Sequence, residues 1–348
     1  MGDIVETTEH HSPSPIGADE AQFIEAARTD DTGRFALLTE RFRRELLAHC
    51  YRMLASYEDA QDLTQETFLR AWSKRESFQG KASLRTWLFR IATNACLDFL
   101  EKRRDRTPIP TELHGAGGTG TEVLYLQPWP ASQPDDPHEH VVAKETIELA
   151  FIVAVQHLPP RQRAVLILRD VLGWPAQLTA DTLELTLASA NSALQRARVT
   201  MREHLPPGRL DWSTGTSHGL TDDERRLVTA YVSAHESFDL DRLRTLLRDD
   251  LRFAMPPQPG IWVGRDETVK SWVDMGFGEG EAADWRCRIT IANGQPAVAM
   301  YIRHPGTPIY RALTMDVLRV ENGLIAEITT FDNDVFDWFG LPQEVDAG

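Results

Sequence analysis

Asp59-Ala60-Gln61-Asp62-Leu63-Thr64-Gln65-Glu66-Thr67-Phe68-Leu69-Arg70-Ala71-Trp72 reads as one amphipathic helix, and its two faces organise what surrounds it. Ala60, Leu63, Thr67 and Ala71 recur at three- and four-residue steps and form an inward stripe. Asp62, Gln65, Glu66 and Leu69 stand at i, i+3, i+4 and i+7 on an outward face. The inward stripe needs apolar neighbours. Upstream, Phe35, Leu38, Phe42, Leu46, Cys50 and Met53 supply them at helical spacing. Downstream, after a break at Gln79-Gly80, Ser83 begins a helix whose buried face is Leu84, Trp87, Leu88, Ile91, Ala95 and Phe99. Residues 21–106 are therefore expected to form one helical module, nearly continuous helix with short breaks.

Residues 107–140 interrupt the pattern. Gly115, Gly117, Gly118 and Gly120, then Pro128, Pro130, Pro134 and Pro137, mark a linker. Within it the apolar island from Val123-Leu124-Tyr125-Leu126 through Trp129 is expected to dock on a neighbour. Residues 141–205 are helical again, and 206–219 form a second linker. Residues 220–341 change character, with helices over 221–238 and 241–247 followed by alternating runs at 285–292, 297–303, 310–320 and 324–331. Asn293-Gly294 and Asn322-Gly323 are the strongest hairpin signals in the chain. Helices followed by an antiparallel meander make an α+β domain. The fold class is multidomain: two all-α modules and a C-terminal α+β domain.

The net charge of −15 argues against a nucleic-acid binder until it is divided along the chain. Residues 21–106 carry 16 Lys and Arg against 13 Asp and Glu, and 81–106 alone carry 7 against 3. From His218 onward the balance is 13 against 22, so the acid is concentrated in the tail. Residues 1–20 are polar, acidic and rich in Ser and Pro, and read as a disordered leader without the basic-then-apolar pattern of a secretory signal. No run of about 18 apolar residues indicates a transmembrane helix. Cys50, Cys96 and Cys287 stand alone, with no CxxC and no His/Cys pair at ligand spacing. Buried free thiols, no metal and no cofactor are expected.

The stretch Arg43-Arg44-Glu45-Leu46-Leu47-Ala48-His49-Cys50-Tyr51-Arg52-Met53, the helix quoted above, Phe78-Gln79-Gly80-Lys81-Ala82-Ser83-Leu84-Arg85-Thr86-Trp87-Leu88 and Ile91-Ala92-Thr93-Asn94-Ala95-Cys96-Leu97-Asp98 together resemble domain 2 of sigma-70-type RNA polymerase sigma factors. The extracytoplasmic-function group is the nearest in pattern, within it the subgroup with a SnoaL-like C-terminal extension. The resemblance implies that Asp62, Gln65, Glu66 and Leu69 grip a helical clamp hairpin of the polymerase largest subunit. It further implies that the loop from Phe78 and the helix after it hold an extruded −10 base. That task requires a pocket and neutralised phosphates, because strand separation costs stacking energy. Lys81, Arg85, Arg90, Arg103 and Arg104 suit phosphates, Phe78 and Ser83 shape the loop, and Asn94 offers a donor and an acceptor to a base edge. Trp87, among Leu84, Leu88 and Ile91, reads as core.

Leu158-Pro159-Pro160-Arg161-Gln162-Arg163-Ala164-Val165-Leu166, Leu168-Arg169-Asp170-Val171-Leu172-Gly173-Trp174 and Asn191-Ser192-Ala193-Leu194-Gln195-Arg196-Ala197-Arg198 resemble sigma domain 4. The resemblance implies a helix-turn-helix on the −35 element and a dock on the flap of the second-largest subunit. Thr186 is the expected N-cap and Leu187, Ala190, Leu194, Ala197 and Met201 the inward stripe. Ser189, Ser192, Gln195 and Arg196 are left outward for DNA. The pattern departs from the family at the turn, where Glu184 replaces the usual Gly and is strained if its φ is positive. Thr179, Thr182 and Ala190 also replace larger apolar residues, so a looser helix-turn-helix with altered −35 readout is expected.

The tail resembles SnoaL-like polyketide cyclases, cone-shaped folds whose curved sheet lines a cavity. Tyr231, His235, Trp262, Trp272, Trp285, Asp316 and Asp332 are candidate liners. The acidic balance favours a regulatory domain that contacts the basic modules within the chain over a small-molecule sensor or a catalyst. No catalytic residue is assigned. The function implied is a cytoplasmic promoter-specificity subunit that binds core polymerase and promoter DNA. A polymerase-independent helix-turn-helix regulator, or an enzyme whose active part is the tail, are the alternatives.

Overall fold

The computed structural model describes residues 17–104, 126–130, 147–205, 220–258, 261–274, 277 and 284–346. The leader through residue 16, most of both linkers and the side chain of Arg104 lie outside these residues. The N-terminal module consists of α1 (Ala18–Arg28), α2 (Thr32–Glu40), α3 (Arg43–Leu54), α4 (Tyr57–Ser73) and α5 (Leu84–Arg104). Ala55, at a left-handed φ of 61°, ends α3. Ser56 then caps α4 by accepting from the Asp59 N–H at 3.1 Å, so the helix starts two residues before the expected Asp59. Asp59 instead sits in the first turn, where a carboxylate suits the helix dipole. The inward stripes of α3, α4 and α5 are buried as their spacing requires, apart from Trp87 and Phe99 of α5, which are half-buried. Cys50 and Cys96 are not isolated: α3 and α5 bring the two thiols into hydrogen-bonding contact, and burial together with that contact raises the Cys96 pKa.

The second module contains α6 (Leu149–Gln156), α7 (Pro160–Leu166), one π-turn (Ile167–Val171), α8 (Ala176–Thr182) and α9 (Leu187–His204). The sequence of α6, Leu-Ala-Phe-Ile-Val-Ala-Val-Gln, is apolar on every side, and such a helix is stable only when surrounded. It packs between α3 of the first module and α9 of its own.

The tail contains α10 (Asp222–Glu236), α11 (Leu240–Leu246), β1 (Leu247–Ala254), β2 (Ile261–Val263), α12 (Arg265–Asp274), β3 (Asp284–Ala292), β4 (Gln295–Arg303), β5 (Ile309–Glu321), β6 (Leu324–Asp332) and β7 (Glu344–Asp346). The four alternating runs are β3 to β6, and they form the expected antiparallel meander. The sheet is nevertheless mixed, because β1 joins β6 in parallel and extends the order to β2-β1-β6-β5-β4-β3. The sequence hid β1: its Arg248-Asp249-Asp250 stretch is too charged to read as strand. The last short strand, β7, pairs with the start of β5 beyond the expected end of the domain.

The sheet separates two cores. Val298, Met300 and Leu318 face α10, α11 and α12 and belong to a core confined to the tail. Their strand neighbours Ala297, Ala299, Tyr301 and Val317 belong to a different core, continuous with Leu46, Met53, Phe151, Ile152 and Leu194 of the helical modules. The period of two therefore splits β4 and β5 between the tail and the rest of the chain. This explains why β4 is buried on both faces, and its run is apolar without a break from Pro296 to Ile302 rather than truly alternating.

Candidate functional site

The outward face of α4 is open. Asp62 and Gln65 are exposed, Leu69 is 59% exposed, and Glu66 is half-buried. Glu66 accepts from Arg70 at 2.8 Å, and Arg70 also donates to Asp98 of α5 at 2.9 Å, which pins the half of this face nearest α5.

The residues expected at the −10 element do not form one surface. Phe78 is buried, with its ring 5.1 Å from Phe23 and 5.2 Å from Trp87, so no base can stack on it here. Ser83 is the N-cap of α5, accepting from the Thr86 N–H. Arg85 donates to Glu45 at 2.6 Å and lies over the Phe89 ring. Asn94, nine residues on, points roughly half a turn away. Arg103 is held by Asp59 at 3.2 Å. Lys81, Arg90 and Asn94 are exposed, and Arg90 and Asn94 share one side of α5. Phe78 joins the aromatic cluster around Phe23 and Arg85 pairs with Glu45, and neither partner is evident from the local pattern.

The helix-turn-helix forms as expected. Thr186 caps α9 by accepting from the Ser189 N–H at 3.1 Å. Ala190, Leu194, Ala197 and Met201 are buried, whereas Leu187, expected inward, is 43% exposed because it occupies the first turn ahead of the packed stripe. Ser189, Ser192, Gln195 and Arg196 all face solvent. Arg198 forms a two-pronged pair with Asp170 at 2.8 and 2.9 Å and fixes α9 against the π-turn. Glu184 has φ of 55°, and the Leu185 N–H donates to the Ala180 carbonyl at 2.9 Å. This is a Schellman ending with Glu where Gly is usual.

The two helical modules are in direct contact. Arg163 of α7 is buried and donates to the carbonyls of Met53, Gln156 and Leu158, so its guanidinium sits on the carbonyl end of α3. Burial lowers its pKa to about 10, which leaves it charged at neutral pH. A groove lined by Arg70, Asn94, Asp98, Arg161 and Glu184 runs between the modules and places the α5 face and the helix-turn-helix on its two walls.

The least anticipated feature is a clasp at the Asn293-Gly294 turn. Asn293 is fully buried. Its Nδ2 donates to the Tyr51 hydroxyl at 2.8 Å and to the Ile147 carbonyl at 2.5 Å, and its Oδ1 accepts from the Trp129 N–H at 2.7 Å. Its own N–H donates to the Trp129 carbonyl at 2.8 Å. The expected island docks here over its described residues, 126–130; Val123, Leu124 and Tyr125 lie outside the described residues. Trp129 lies 5.2 Å from the Tyr51 ring and 5.6 Å from Tyr57, and the Gln127 side chain accepts from Ser56 Oγ and the Glu58 N–H. Gln295 finishes the contact by accepting from the Leu149 N–H at 3.0 Å, satisfying a free donor at the start of α6. The hairpin and the docking island were both legible in the sequence; that they meet was not.

In the tail, the concave side of the sheet holds a cavity lined in part by His235, Trp272, Trp285 and Asp316. Two expected liners lie elsewhere. Trp262 packs behind Phe253 at 5.2 Å, and exposed Asp332 lines a separate cavity beside Ser56 and Arg103. Tyr231 is buried beneath the cavity and donates to Asp316 at 2.8 Å, and Thr330 donates to the other Asp316 oxygen at 2.5 Å. Burial lifts the Asp316 carboxyl to about 6 against those two donors, and lowers His235 to about 4. Among the described residues no helix is long and apolar enough to cross a membrane, and no His, Cys, Asp and Glu cluster suits a metal.

An exposed α4 face, a basic α5, a helix-turn-helix and a cone-like tail define a sigma-70-type initiation factor with an added domain. The Sigma-70 region 2 family matches residues 38–106, Sigma-70 region 4 matches 148–201, and the SnoaL-like domain matches 228–328. The ECF RNA polymerase sigma factor SigG of Mycobacterium tuberculosis is 42% identical over 323 residues, covering 90% of this chain and 85% of its own. SigW of Bacillus subtilis is 26% identical over 52% of this chain and 94% of its own. The crystal structure of the Mycobacterium tuberculosis extracytoplasmic function sigma factor SigJ superposes with a TM-score of 0.57 at 22% identity, covering 87% of this chain and 97% of that one. The chain belongs to the ECF RNA polymerase sigma factors. It is a transcription factor rather than an enzyme, and it directs core RNA polymerase to promoters.

Proposed function

We propose that the chain rests in a closed form in which the tail holds the two sigma modules together, and that promoter recognition requires them to part. Residues 21–106, 141–205 and 220–341 are the three modules of this reading. The −10 and −35 elements lie about 25 base pairs apart, which is about 85 Å along B-DNA. Modules that share one core cannot span that distance. The observation that carries the reading is the Asn293 clasp, which bonds at once to Tyr51 of the first module, to Trp129 of the linker and to Ile147 ahead of α6.

In the open form, Asp62, Gln65, Glu66 and Leu69 meet the clamp hairpin of the largest subunit, and the second module docks on the flap of the second-largest. Ser189, Ser192, Gln195 and Arg196 read the −35 element. Lys81, Arg90 and Asn94 meet the −10 strand, joined by Arg85 and Arg103 once they leave Glu45 and Asp59, and by Arg104 at the end of α5. The protein acts in the cytoplasm, where polymerase and chromosome are. The tail restrains the modules and is not a passenger.

Run-off transcription with core polymerase and the full chain tests this. Asn293→Gly is expected to raise output at limiting polymerase, and Asp62→Ala combined with Glu66→Ala to abolish capture of core polymerase. Unchanged or reduced output from Asn293→Gly would overturn the restraining role. Because the modules share a core, substitution is the appropriate test, since deleting the tail would expose Tyr51 and α6.

A further inference from the structure

The tail cavity has a chemistry that the promoter-directing role does not use. Its volume is about 280 Å³, at the lower end for small-molecule sites and nearly twice the roughly 150 Å³ that holds a benzene. A ligand of about ten to twelve non-hydrogen atoms fits that space. Phe253, Trp272, Phe277 and Trp285 form its aromatic wall, closed by Met300 and Ile302.

Strand register aligns its polar groups. Asp316 on β5 stands opposite Thr330 on β6, and Thr314 stands opposite Met300 on β4, so all four point to the concave side. Each Asp316 oxygen has accepted one hydrogen bond, from Tyr231 or from Thr330, and a carboxylate has further lone pairs on both. His235 Nδ1 lies 3.0 Å from the Tyr231 carbonyl, which can only accept, so Nδ1 carries the proton and Nε2 is an acceptor. Among the described residues no Lys or Arg lines the cavity. It therefore offers acceptors and one negative charge inside an aromatic box, with no cation of its own. A neutral hydroxylated ring would satisfy the acceptors but leave the carboxylate without a counter-ion. An anion would be repelled.

We propose that this cavity binds a compact organic ammonium ion, with the amine N–H groups donating to Asp316 and His235 Nε2 and the apolar body against Trp272, Phe277 and Trp285. Aromatic rings line the cavity that holds this carboxylate, and ring faces attract cations. Acidification weakens binding by protonating Asp316. The other titratable groups around that carboxyl are His235 and Tyr231 of α10 and Cys287 of β3; His235 stays neutral down to about 4, and burial raises the other two.

Calorimetric titration of the full chain with benzylamine, 2-phenylethylamine and tryptamine, against 2-phenylethanol and phenylacetate, tests the proposal. At least one amine is expected to bind about tenfold or more tightly than the alcohol, with no binding of phenylacetate. Asp316→Asn, which keeps an oxygen for one of Tyr231 and Thr330 and turns an NH2 toward the other hydroxyl, is expected to erase the preference of amine over alcohol. Equal binding of alcohol and amine, a preference that survives Asp316→Asn, or no amine binding at about 1 mM would overturn it. Should Asp316→Asn fail to fold, the ratio of amine to alcohol on the unaltered chain decides alone. None of these readouts involves polymerase, so this result stands or falls separately from the clasp.

Discussion

Asn293 and Glu184 hold the same left-handed backbone, each with φ of 55°, and nothing else about them is alike. Asn293 is followed by Gly294, and Asn and Gly tolerate positive φ, so the residue type favours the turn it makes. Its side chain then uses both donors and an acceptor in a buried contact. Glu184 has a Cβ that crowds its own backbone in this conformation, and its side chain is exposed. One turn is local preference and tertiary bonding in agreement; the other is held against local preference by the helices it joins. A third position, Asn322 at φ of 52°, has the favourable residue type but an exposed side chain, and serves as a control. The comparison teaches that φ alone does not say whether a turn is a joint or a strain; the partners of the side chain do.

The largest test of the joint is the aromatic group it holds. Trp129 is 2% exposed and sits between the Tyr51 and Tyr57 rings. Trp129→Ala is expected to cost about 3–5 kcal/mol in urea denaturation, the range for deleting a buried large aromatic side chain. A loss below about 1 kcal/mol would mean the island merely rests on the surface.

Next in size is the contrast between the two Asn-Gly turns. Glycine keeps the left-handed conformation without strain, so Asn→Gly removes the side chain and little else. At Asn293 it leaves the Trp129 N–H and the Ile147 carbonyl without those partners in the core, for an expected loss of about 2–4 kcal/mol. At Asn322 the same change should cost no more than about 0.5 kcal/mol. Similar losses at both would dissolve the distinction between them.

How much of this was legible before the structure follows the same division. Helical spacing gave α4, α5 and α9 because each buries one face against its own module, and the Asn-Gly pairs gave both hairpins. The clasp was not legible, because the partners of Asn293 are 242 residues away at Tyr51 and 146 away at Ile147. No local pattern encodes such a pairing. The cavity was partly legible: His235, Trp272, Trp285 and Asp316 line it. Trp262 and Asp332 do not: Trp262 stands on β2, one strand outward of the cavity-lining Phe253, and Asp332 ends β6, while β1 itself was hidden by its charges. The burial of Phe78 was not legible for a related reason. A residue can sit in a loop of the right pattern and still be drawn inward by distant rings, here Phe23 and Trp87.

A smaller effect than that at Asn293 is expected at Glu184, and its sign is opposite. Glu184→Gly removes the Cβ crowding, worth about 1–2 kcal/mol, and loosens the unfolded chain by about 0.5–1 kcal/mol, leaving a gain of about 0.5–1 kcal/mol. The side chain gives up little in return, because it is exposed and the Leu185-to-Ala180 hydrogen bond is backbone only. Thr179 and Thr182 stay buried in α8, so the packing deficit there persists and the gain is confined to the turn. Denaturation of Glu184→Gly should therefore show a small increase in stability, and a −35 duplex titrated with the same variant should bind no more weakly than with the parent. A loss of stability would show that the Glu184 side chain is held by something in the groove between the modules, and would turn this position from a strain into a second joint.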